Sequence, residues 1–400
     1  MSKIEKLIKE LCPNGVEYKK ISDICSKIYS GGTPKTSNRE FYNGNIKWLR
    51  SGEINFNELY DTEIYITEKG LNNSSAKIIP TKSVVIALTG ATVARTAIIM
   101  EEMSMNQSVC ALIPNDEINY RFLYQCLTNQ YKKLKHSGQG VLTSLNLDKI
   151  KKIKIPVPPL EVQEEIVRIL DKFRELEAEL EAELEARKSQ YEFWRDKLLN
   201  NNMQKFYIKD ICINISSGGT PSTRNPDYYN GNIPWLRTQE INWNSIKDTE
   251  IKITNEAVLN SSAKLIPKNC VIIAMYGATV GKSAFNNIPL TTNQACCNLE
   301  INSNLANYKY VFYWFLNKYK YIKSLGQGSQ TNINSQIIKN LVIELPSLQE
   351  QEKIVNILDK FNKLVNDISE GLPAEIEARR KQYEYYRNKL LSFEELVVNE

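Results

Sequence analysis

The chain has 400 residues, of which 42% are hydrophobic and 24% are charged, so it can bury more than one core. Its formal net charge of +5 is too small to indicate nucleic-acid binding by itself. No run of about 18 apolar residues predicts a membrane helix, and no signal peptide is evident, so we expect a cytoplasmic protein. One histidine and eight cysteines without a C-x-x-C pair argue against a zinc site and favour free buried thiols.

An internal repeat organises the chain. Residues 1–16 predict a short N-terminal helical segment, and beyond it short motifs return in the same order at an offset of 187 residues (Gly31 to Gly218). The matched motifs are residues 30–34 with 217–221 (S-G-G-T-P), 48–50 with 235–237 (W-L-R), 90–93 with 277–280 (G-A-T-V), 106–107 with 293–294 (N-Q) and, one residue out of step, 138–140 with 326–328 (G-Q-G). The sequence therefore predicts one structural unit that occurs twice.

Each copy combines strands with one helix near its end. Apolar β-branched runs predict buried strands at residues 83–88 and 270–275, and further strands are expected at 110–113, 150–157 and 341–345. Aromatic-rich segments predict helices at residues 120–135 and 308–324. We therefore expect two related α+β globular domains, residues 17–156 and 204–345.

Each domain leads through a proline-containing turn into a long helical segment, residues 157–203 and 346–400. Residues 160–199 contain no Gly or Pro, and their apolar side chains alternate in steps of four and three, which is typical of a coiled-coil seam. The seam residues are Val162, Ile166, Ile169, Phe173, Leu176 and Leu180. In the second copy, Gly371-Leu372-Pro373 should break or kink the helix.

Two helices with similar seams, separated by a domain, can pair antiparallel. The expected fold is therefore α+β, with two tandem domains related by a pseudo-two-fold axis and two long helices forming an antiparallel coiled coil. That symmetry is typical of dimeric DNA-binding proteins, in which the protein sets the spacing of the half-sites.

Both copies carry S-G-G-T-P, W-L-R, G-A-T-V, P-[PS]-L-x-x-Q and E-A-R-[KR]-x-Q-Y-E-[FY]-[WY]-R-[DN]-K-L-L. With these motifs the chain resembles, over essentially its whole length, the specificity (S) subunit of type I restriction-modification systems. The resemblance implies two target recognition domains that each read half of a bipartite sequence in double-stranded DNA, and helices that fix the unread spacer.

The resemblance also implies a noncatalytic subunit without cofactor or metal. Its expected partners are two methyltransferase (M) subunits and restriction/translocase (R) subunits, which would bind S-adenosylmethionine and ATP. The complex would act as a type I site-specific deoxyribonuclease and an adenine-N6 DNA methyltransferase. The alternative is an enzyme that carries its own methylation or restriction activity at an unrecognised active site.

The sequence contains no complete version of three enzymatic motifs. Residues 277–283 resemble a phosphate-binding loop, but three residues separate the glycines where four are needed. No Asn/Asp-Pro-Pro-aromatic sequence of an amino-methyltransferase is present. Asp248, Glu250 and Lys252 could form half of a nuclease metal site, but the first copy has Tyr65 in place of the lysine.

Candidate DNA-binding residues lie in the repeated loops. Glycine-rich loops can bring backbone N–H groups close to phosphate, with turn geometry alone as the alternative. Positions that differ between copies, above all Thr89 and Tyr276 and the loops at residues 139–143 and 327–331, are expected to include base-reading side chains, whereas Trp48 and Trp235 are expected to be core. The full set is Ser30, Gly31, Gly32, Thr33, Lys35, Arg39, Arg50, Thr89, Thr92, Arg95, Gln139 and Thr143, then Ser217, Gly218, Gly219, Thr220, Arg224, Arg237, Tyr276, Thr279, Lys282, Gln327, Gln330 and Thr331.

The ends of the helical segments are rich in Tyr, Trp and Arg, the residues that most often anchor protein interfaces. We expect some of them to bind the methyltransferase subunits, with packing between the two helices as the alternative. The candidates are Arg187, Tyr191, Trp194 and Arg195, and Arg379, Tyr383, Tyr386 and Arg387.

Overall fold

A computed structural model describes residues 3–136, 144–200, 203–326, 332–367 and 369–396. The chain forms two compact units. Unit 1 comprises Met1–Glu179 and Ile376–Glu400, and unit 2 comprises Leu180–Glu375. Each unit therefore holds one copy of the repeated domain together with parts of the long helical segments.

Unit 1 contains a helical segment, an α+β domain and the first part of the long helix. Its helices are α1 (Lys3–Leu11), α2 (Ile21–Ile24), α3 (Glu68–Asn72), α4 (Tyr120–Asn129), α5 (Tyr131–His136) and α6 (Leu147–Lys151). Its strands are β1 (Tyr18–Lys20), β2 (Cys25–Ser30), β3 (Tyr42–Leu49), β4 (Glu58–Leu59), β5 (Tyr65–Ile66), β6 (Ile78–Ile79), β7 (Val84–Ala87), β8 (Thr96–Ile99), β9 (Met103–Met105), β10 (Val109–Pro114) and β11 (Lys154–Pro156). Helix α7 (Leu160–Leu199) follows.

Unit 2 repeats this order. Its strands are β12 (Gln204–Tyr207), β13 (Cys212–Ser217), β14 (Tyr229–Leu236), β15 (Ser245–Ile246), β16 (Lys252–Ile253), β17 (Val271–Ala274), β18 (Ser283–Asn286), β19 (Thr291–Thr292), β20 (Cys296–Ile301) and β21 (Val342–Leu345). Its helices are α8 (Asn255–Leu259), α9 (Tyr308–Asn317), α10 (Tyr319–Ser324), α11 (Ser335–Lys339) and α12 (Leu348–Asn366), and α13 (Leu372–Leu390) ends the helical part of the chain.

The two units share one sheet topology. A five-stranded sheet has the order β2-β10-β7-β8-β4 in unit 1 and β13-β20-β17-β18-β15 in unit 2. A smaller sheet has the order β5-β3-β9-β6 in unit 1 and β16-β14-β19 in unit 2. Most neighbouring strands are antiparallel, but each unit has two parallel strand pairs. These are β3–β9 and β4–β8 in unit 1, and β14–β19 and β15–β18 in unit 2. The predicted α+β class and the tandem repeat are confirmed.

The central strand of each large sheet is buried on both faces, which explains its uninterrupted apolar sequence. Val84 and Ile86 of β7 pack in the cluster that contains Phe122 of α4. Val85 of the same strand faces the opposite cluster, with Met103. The domain core therefore lies on both sides of one sheet, with α4 covering one face.

Three predicted elements have different bounds. The helix expected at residues 120–135 is two helices, α4 and α5, separated at Gln130. The helix expected at residues 308–324 is likewise divided into α9 and α10, separated at Lys318. The strand expected at residues 150–157 is reduced to β11, because the side chain of Asn146 accepts a hydrogen bond from the backbone N–H of Lys149 and caps helix α6.

The 40-residue helix α7 matches the prediction, and the second helical segment is interrupted as expected, between α12 and α13. Within unit 1, α7 and α13 pack antiparallel: the ring of Phe173 stacks on Tyr386 at 5.3 Å, and Glu177 pairs with Arg380 at 2.6 Å. The seam prediction is only partly correct, since Val162 and neighbouring seam residues join the domain core rather than a purely helical interface.

Candidate nucleic-acid interface

The repeated motifs converge at one end of each five-stranded sheet. Ser30, the last residue of β2, pairs with Cys110 of β10, and Val109 pairs with Ala87 at the end of β7. The loops after β2 and β7 and before β10 therefore lie at the same end, and unit 2 repeats this register with Ser217 at the end of β13. We call this the sheet-end surface: residues 30–39, 50–51, 89–95 and 106–108 in unit 1, and 217–226, 237–238, 276–282 and 293–295 in unit 2.

The paired glycines of the sheet-end surface pack against a neighbouring strand. A Cβ atom on Gly31 would lie 1.9 Å from the carbonyl oxygen of Met105, and Gly218 is equally confined in unit 2. The backbone N–H of Gly32 donates to the same Met105 oxygen at 3.0 Å, and Gly219 repeats this bond in unit 2. The amides of Gly32 and Gly219 are therefore already hydrogen-bonded within the chain, and all four glycines have a packing role. A phosphate contact of these loops stays a prediction.

A tryptophan and a tyrosine hold each glycine loop in place. The indole N–H of Trp48 donates to the carbonyl oxygen of Gly32 at 3.1 Å, and the hydroxyl of Tyr42 donates to that of Pro34 at 2.7 Å. The two rings meet edge to face, 6.1 Å apart. Trp48 and Trp235 are each 5% exposed, which confirms that they are core residues.

The hydroxyl of Thr33 hydrogen-bonds to the side-chain amide of Gln107, and Thr220 makes the same contact with Gln294. Both glutamines are exposed on the sheet-end surface. The repeated N-Q dipeptide was visible in the sequence, but these glutamines were not among the predicted DNA-binding residues. Their amides can donate and accept hydrogen bonds, which is the chemistry that reads base edges.

The G-A-T-V turns are built by internal hydrogen bonds. The hydroxyl of Thr92 donates to a main-chain carbonyl at 2.8 Å, and a guanidinium N–H of Arg95 donates to Asn55 at the same distance. Unit 2 repeats both bonds from Thr279 and Lys282. The two threonine hydroxyls therefore hold the turn, whereas the two cations remain partly exposed with donors to spare.

Two predicted arginines are already neutralised by carboxylates. Arg50 forms ion pairs with Glu53 and Glu63, and Arg237 pairs with Glu250 at 2.5 Å. A carboxylate beside each guanidinium repels phosphate and competes for its N–H donors. The structure therefore makes Arg50 and Arg237 weaker candidates for DNA contact than the sequence suggested.

Other cations lie free near the same surface. Lys35, Arg39 and Arg224 are exposed and form no ion pair with any described residue. Lys77 and Lys264, which the sequence reasoning missed, are also exposed and follow the S-S-A segment against which the glycine loop packs. The repeated S-S-A-K motif, which ends in these two lysines, was the sequence feature that could have identified them. These five exposed side chains are candidates for contact with DNA phosphates.

The predicted base-reading positions are partly described. Thr89 is exposed and Tyr276 is 39% exposed, and both lie where β7 and β17 end. The backbone N–H of Leu145 donates to the carbonyl of Leu88 at 2.8 Å, which brings the chain after residue 143 to the sheet-end surface. Gln139, Thr143, Gln327, Gln330 and Thr331 lie outside the described residues.

The predicted partner-binding residues differ in how far they are buried within their own units. The ring of Tyr191 is 5% exposed and lies 6.3 Å from the ring of Phe361, so it packs within unit 2, and its role in partner binding stays a prediction. The hydroxyl of Tyr383 donates to Gln125 at 2.8 Å within unit 1. Four half-buried arginines contact side chains of their own units: Arg187, Arg195, Arg379 and Arg387.

Two exposed aromatic residues were missed. Phe193 and Tyr385 occupy equivalent positions of the helical repeat, and each is 61% exposed. Each packs edge to face on the next aromatic residue, Trp194 or Tyr386, and the ammonium group of Lys197 lies 4.9 Å from the Trp194 ring centroid. We call Phe193–Trp194 and Tyr385–Tyr386 the aromatic pairs.

The enzymatic motifs are engaged in ordinary contacts. Lys252 pairs with Asp248 at 3.1 Å, and Glu250 pairs with Arg237. Among the described residues, no group of three or more His, Cys, Asp or Glu side chains could hold a metal ion.

Burial raises the pKa of the Cys25 thiol to about 12, so this thiol is protonated at neutral pH and is a poor nucleophile or ligand.

A family model described as the type I restriction modification DNA specificity domain matches residues 13–186 and 200–378. The chain belongs to this family. It is 42% identical over 258 residues to the Type I restriction enzyme EcoR124I/EcoR124II specificity subunit of Escherichia coli, a match covering 61% of the chain and 63% of that relative. It is 34% identical over 308 residues to a putative type I specificity subunit of Haemophilus influenzae, covering 72% and 76% of the two chains.

Solved structures share the fold at low sequence identity. A chain from a study of complex assembly and conformational transition of the type I R-M system superposes with a TM-score of 0.68 at 16% identity, covering 95% of this chain and 98% of that one. The S subunit from M. genitalium gives a TM-score of 0.55 at 14% identity, covering 94% and 96%. None of the described helices combines the length and hydropathy that a bilayer span requires.

Proposed function

We propose that the chain is the noncatalytic DNA-specificity subunit of a type I restriction-modification complex, and that each sheet-end surface reads one half of a bipartite DNA sequence. The repetition carries this proposal. Two surfaces are built from the same motifs with the same internal hydrogen bonds, yet they expose different side chains, such as Thr89 in one and Tyr276 in the other. Shared contacts hold the fold, and differing side chains give each domain its own sequence preference.

Catalysis in this proposal belongs to partner subunits in the cytoplasm. Two methyltransferase subunits would bind S-adenosylmethionine and methylate adenine, and restriction/translocase subunits would use ATP and cut DNA. The aromatic pairs support the number of methyltransferase subunits, because the same exposed feature occurs once on each helical repeat. A partner that recognises one pair can bind twice.

Methylome sequencing tests the function. A host that carries this chain with its methyltransferase partner should show methyladenine in a motif of two short specific sequences separated by an unread spacer. Deleting the gene for this chain should remove the motif while the methyltransferase is still expressed. A bipartite motif that persists after the deletion would contradict the proposal.

A further inference from the structure

A buried glutamine joins each domain to its long helix. Gln163 near the start of α7 is fully buried, with 0% of its surface exposed. Its side-chain oxygen accepts the backbone N–H of Asn119 at 2.8 Å, and its amide N–H groups donate to the carbonyls of Glu117 at 2.9 Å and Pro158 at 2.7 Å. This one side chain thus connects the segment before α7 with the segment before α4.

Unit 2 repeats the joint at the equivalent glutamine. Gln351 is also 0% exposed, and its oxygen accepts the backbone N–H of Asn307 at 2.8 Å. Its amide donates to the carbonyls of Leu305 at 3.3 Å and Pro346 at 2.9 Å. Asn119 and Asn307 are the N-caps of α4 and α9, so each glutamine hydrogen-bonds to the residue just before the helix that covers the domain sheet.

A second contact fixes the direction of the helix. Arg121 of α4 bridges Glu58 at 2.8 Å and Asp171 of α7 at 3.3 Å. In unit 2, Asp359 of α12 accepts hydrogen bonds from Lys309 at 2.5 Å and Tyr313 at 2.6 Å. The eight residues from Gln163 to Asp171 span roughly 12 Å of helix, and two attachment points at that spacing define an axis.

The joint matters because small tilts are magnified along the helix. From Gln163 to the last α7 residue of unit 1, the helix runs for roughly 24 Å. A tilt of about 10° at the joint would move that end by about 4 Å, more than the rise of one base pair, about 3.4 Å. A loose joint would therefore let a recognition domain reach half-sites at more than one separation.

We propose that Gln163 and Gln351 are positioning residues that restrict the length of the unread DNA spacer without touching DNA. This inference rests on the proposed function. A fully hydrogen-bonded buried amide specifies one geometry, because any displacement leaves polar groups unpaired inside the core. The two glutamines thus hold each domain at a fixed angle on its own helix.

Methylation by the assembled complex tests the proposal. The chain and its methyltransferase partner would be incubated with DNA that keeps both half-sites fixed and varies the spacer by up to two base pairs either way. Gln163→Met and Gln351→Met keep the side-chain length but remove the hydrogen bonds. Each should raise methylation of spacers one base pair too short or too long, relative to the native spacer, by about tenfold, with the half-site sequences unchanged.

Three controls make each outcome decisive. Gln349→Met changes an exposed glutamine of α12, two residues from Gln351, and should keep the native spacer profile. Val85→Ala loosens the buried sheet core away from the joint and should lower stability without broadening the spacer. If a glutamine variant does not assemble, Asp171→Asn and Asp359→Asn weaken the second contact and give the same readout.

The failures are distinguishable. Folded glutamine variants with the wild-type spacer profile, altered half-site preference, or equal broadening by Val85→Ala would overturn the positioning role. A wild-type complex that methylates no bipartite sequence would instead overturn the proposed function.

Discussion

At the scale of single residues, the glycines of the sheet-end loops show how packing fixes a motif. Gly31→Ala would place a methyl group 1.9 Å from the Met105 carbonyl oxygen, so the strand and loop must separate. We expect the free energy of unfolding in urea to fall by about 2–3 kcal/mol. Gly52→Ala is the matched control, since a Cβ there meets nothing within 4 Å and the change should stay within about 0.5 kcal/mol. Equal losses for the two variants would contradict the packing role.

The free cations predict a salt-dependent contribution to DNA affinity. Arg39→Ala and Arg224→Ala each remove from the sheet-end surface one exposed guanidinium that pairs with no carboxylate of the described residues. If each contacts a phosphate, the slope of log affinity against log salt should become shallower by about one, for specific and nonspecific DNA alike. Fluorescence anisotropy of the assembled complex at several salt concentrations measures this slope.

Lys152→Ala is the control for that experiment. Lys152 is exposed, but it adjoins Ile153, whose carbonyl accepts the N–H of Ile21 before β2 begins, at the opposite end of the sheet. A slope that changes as much in the control as in the arginine variants would show that the sheet-end cations have no special role.

Glu165 gives a pH-dependent prediction within unit 1. Hydrogen bonds from Arg168, at 2.7 and 2.9 Å, and from Lys3, at 2.8 Å, lower the pKa of this carboxyl from 4.5 to about 2. Because the folded pKa is depressed, the stabilisation is complete above about pH 4.5 and is lost as pH falls toward 2. Glu165→Gln should therefore be less stable than wild type at pH 7, with the difference shrinking by pH 3 in urea unfolding. A difference that is constant with pH would exclude the ion pairs as its source.

At the scale of elements, the sequence predicted what depends on local pattern and missed what depends on tertiary contact. Helix α7 was predictable, because 40 residues without Gly or Pro are mostly strong helix formers. The alternating spacing could not reveal that Val162 packs into the domain core, since periodicity identifies an apolar face but not its partner. The G-G pair was equally ambiguous, because a buried packing site and a phosphate-binding loop require the same absence of a side chain.

The aromatic pairs illustrate the same limit on the helix surface. Residue type alone favoured Tyr191 as an interface anchor, but two residues along an α-helix differ in direction by about 200°. Tyr191 therefore points into unit 2 while Phe193 points away from it, at 5% and 61% exposure. Angular position, rather than residue type, separates core from surface here.

That separation predicts how partner binding should respond to mutation. Phe193→Ala and Tyr385→Ala should each weaken binding of one methyltransferase subunit by at least about tenfold, because exposed aromatic residues commonly dominate interface energies. Native mass spectrometry should then show complexes with one methyltransferase subunit instead of two, and the double variant should show none. Ser189→Ala, an exposed change on the same helix, should retain both subunits. Full occupancy in the double variant would place the docking surface elsewhere.

At the scale of the whole molecule, the number of four-residue repeats in α7 is expected to set the length of the unread DNA spacer. Residues 176–187 read L-E-A-E, L-E-A-E, L-E-A-R within the uninterrupted helix. Inserting or deleting one four-residue cassette changes the helix by about 6 Å in length and roughly 40° in rotation, while leaving both sheet-end surfaces untouched. The unread spacer of the methylated motif should therefore change by one or two base pairs, with both half-sites preserved. Methylome sequencing of the variant measures both quantities together. An unchanged spacer would show that the length of α7 does not set the separation, and altered half-sites would show that the cassette acts through the domains instead.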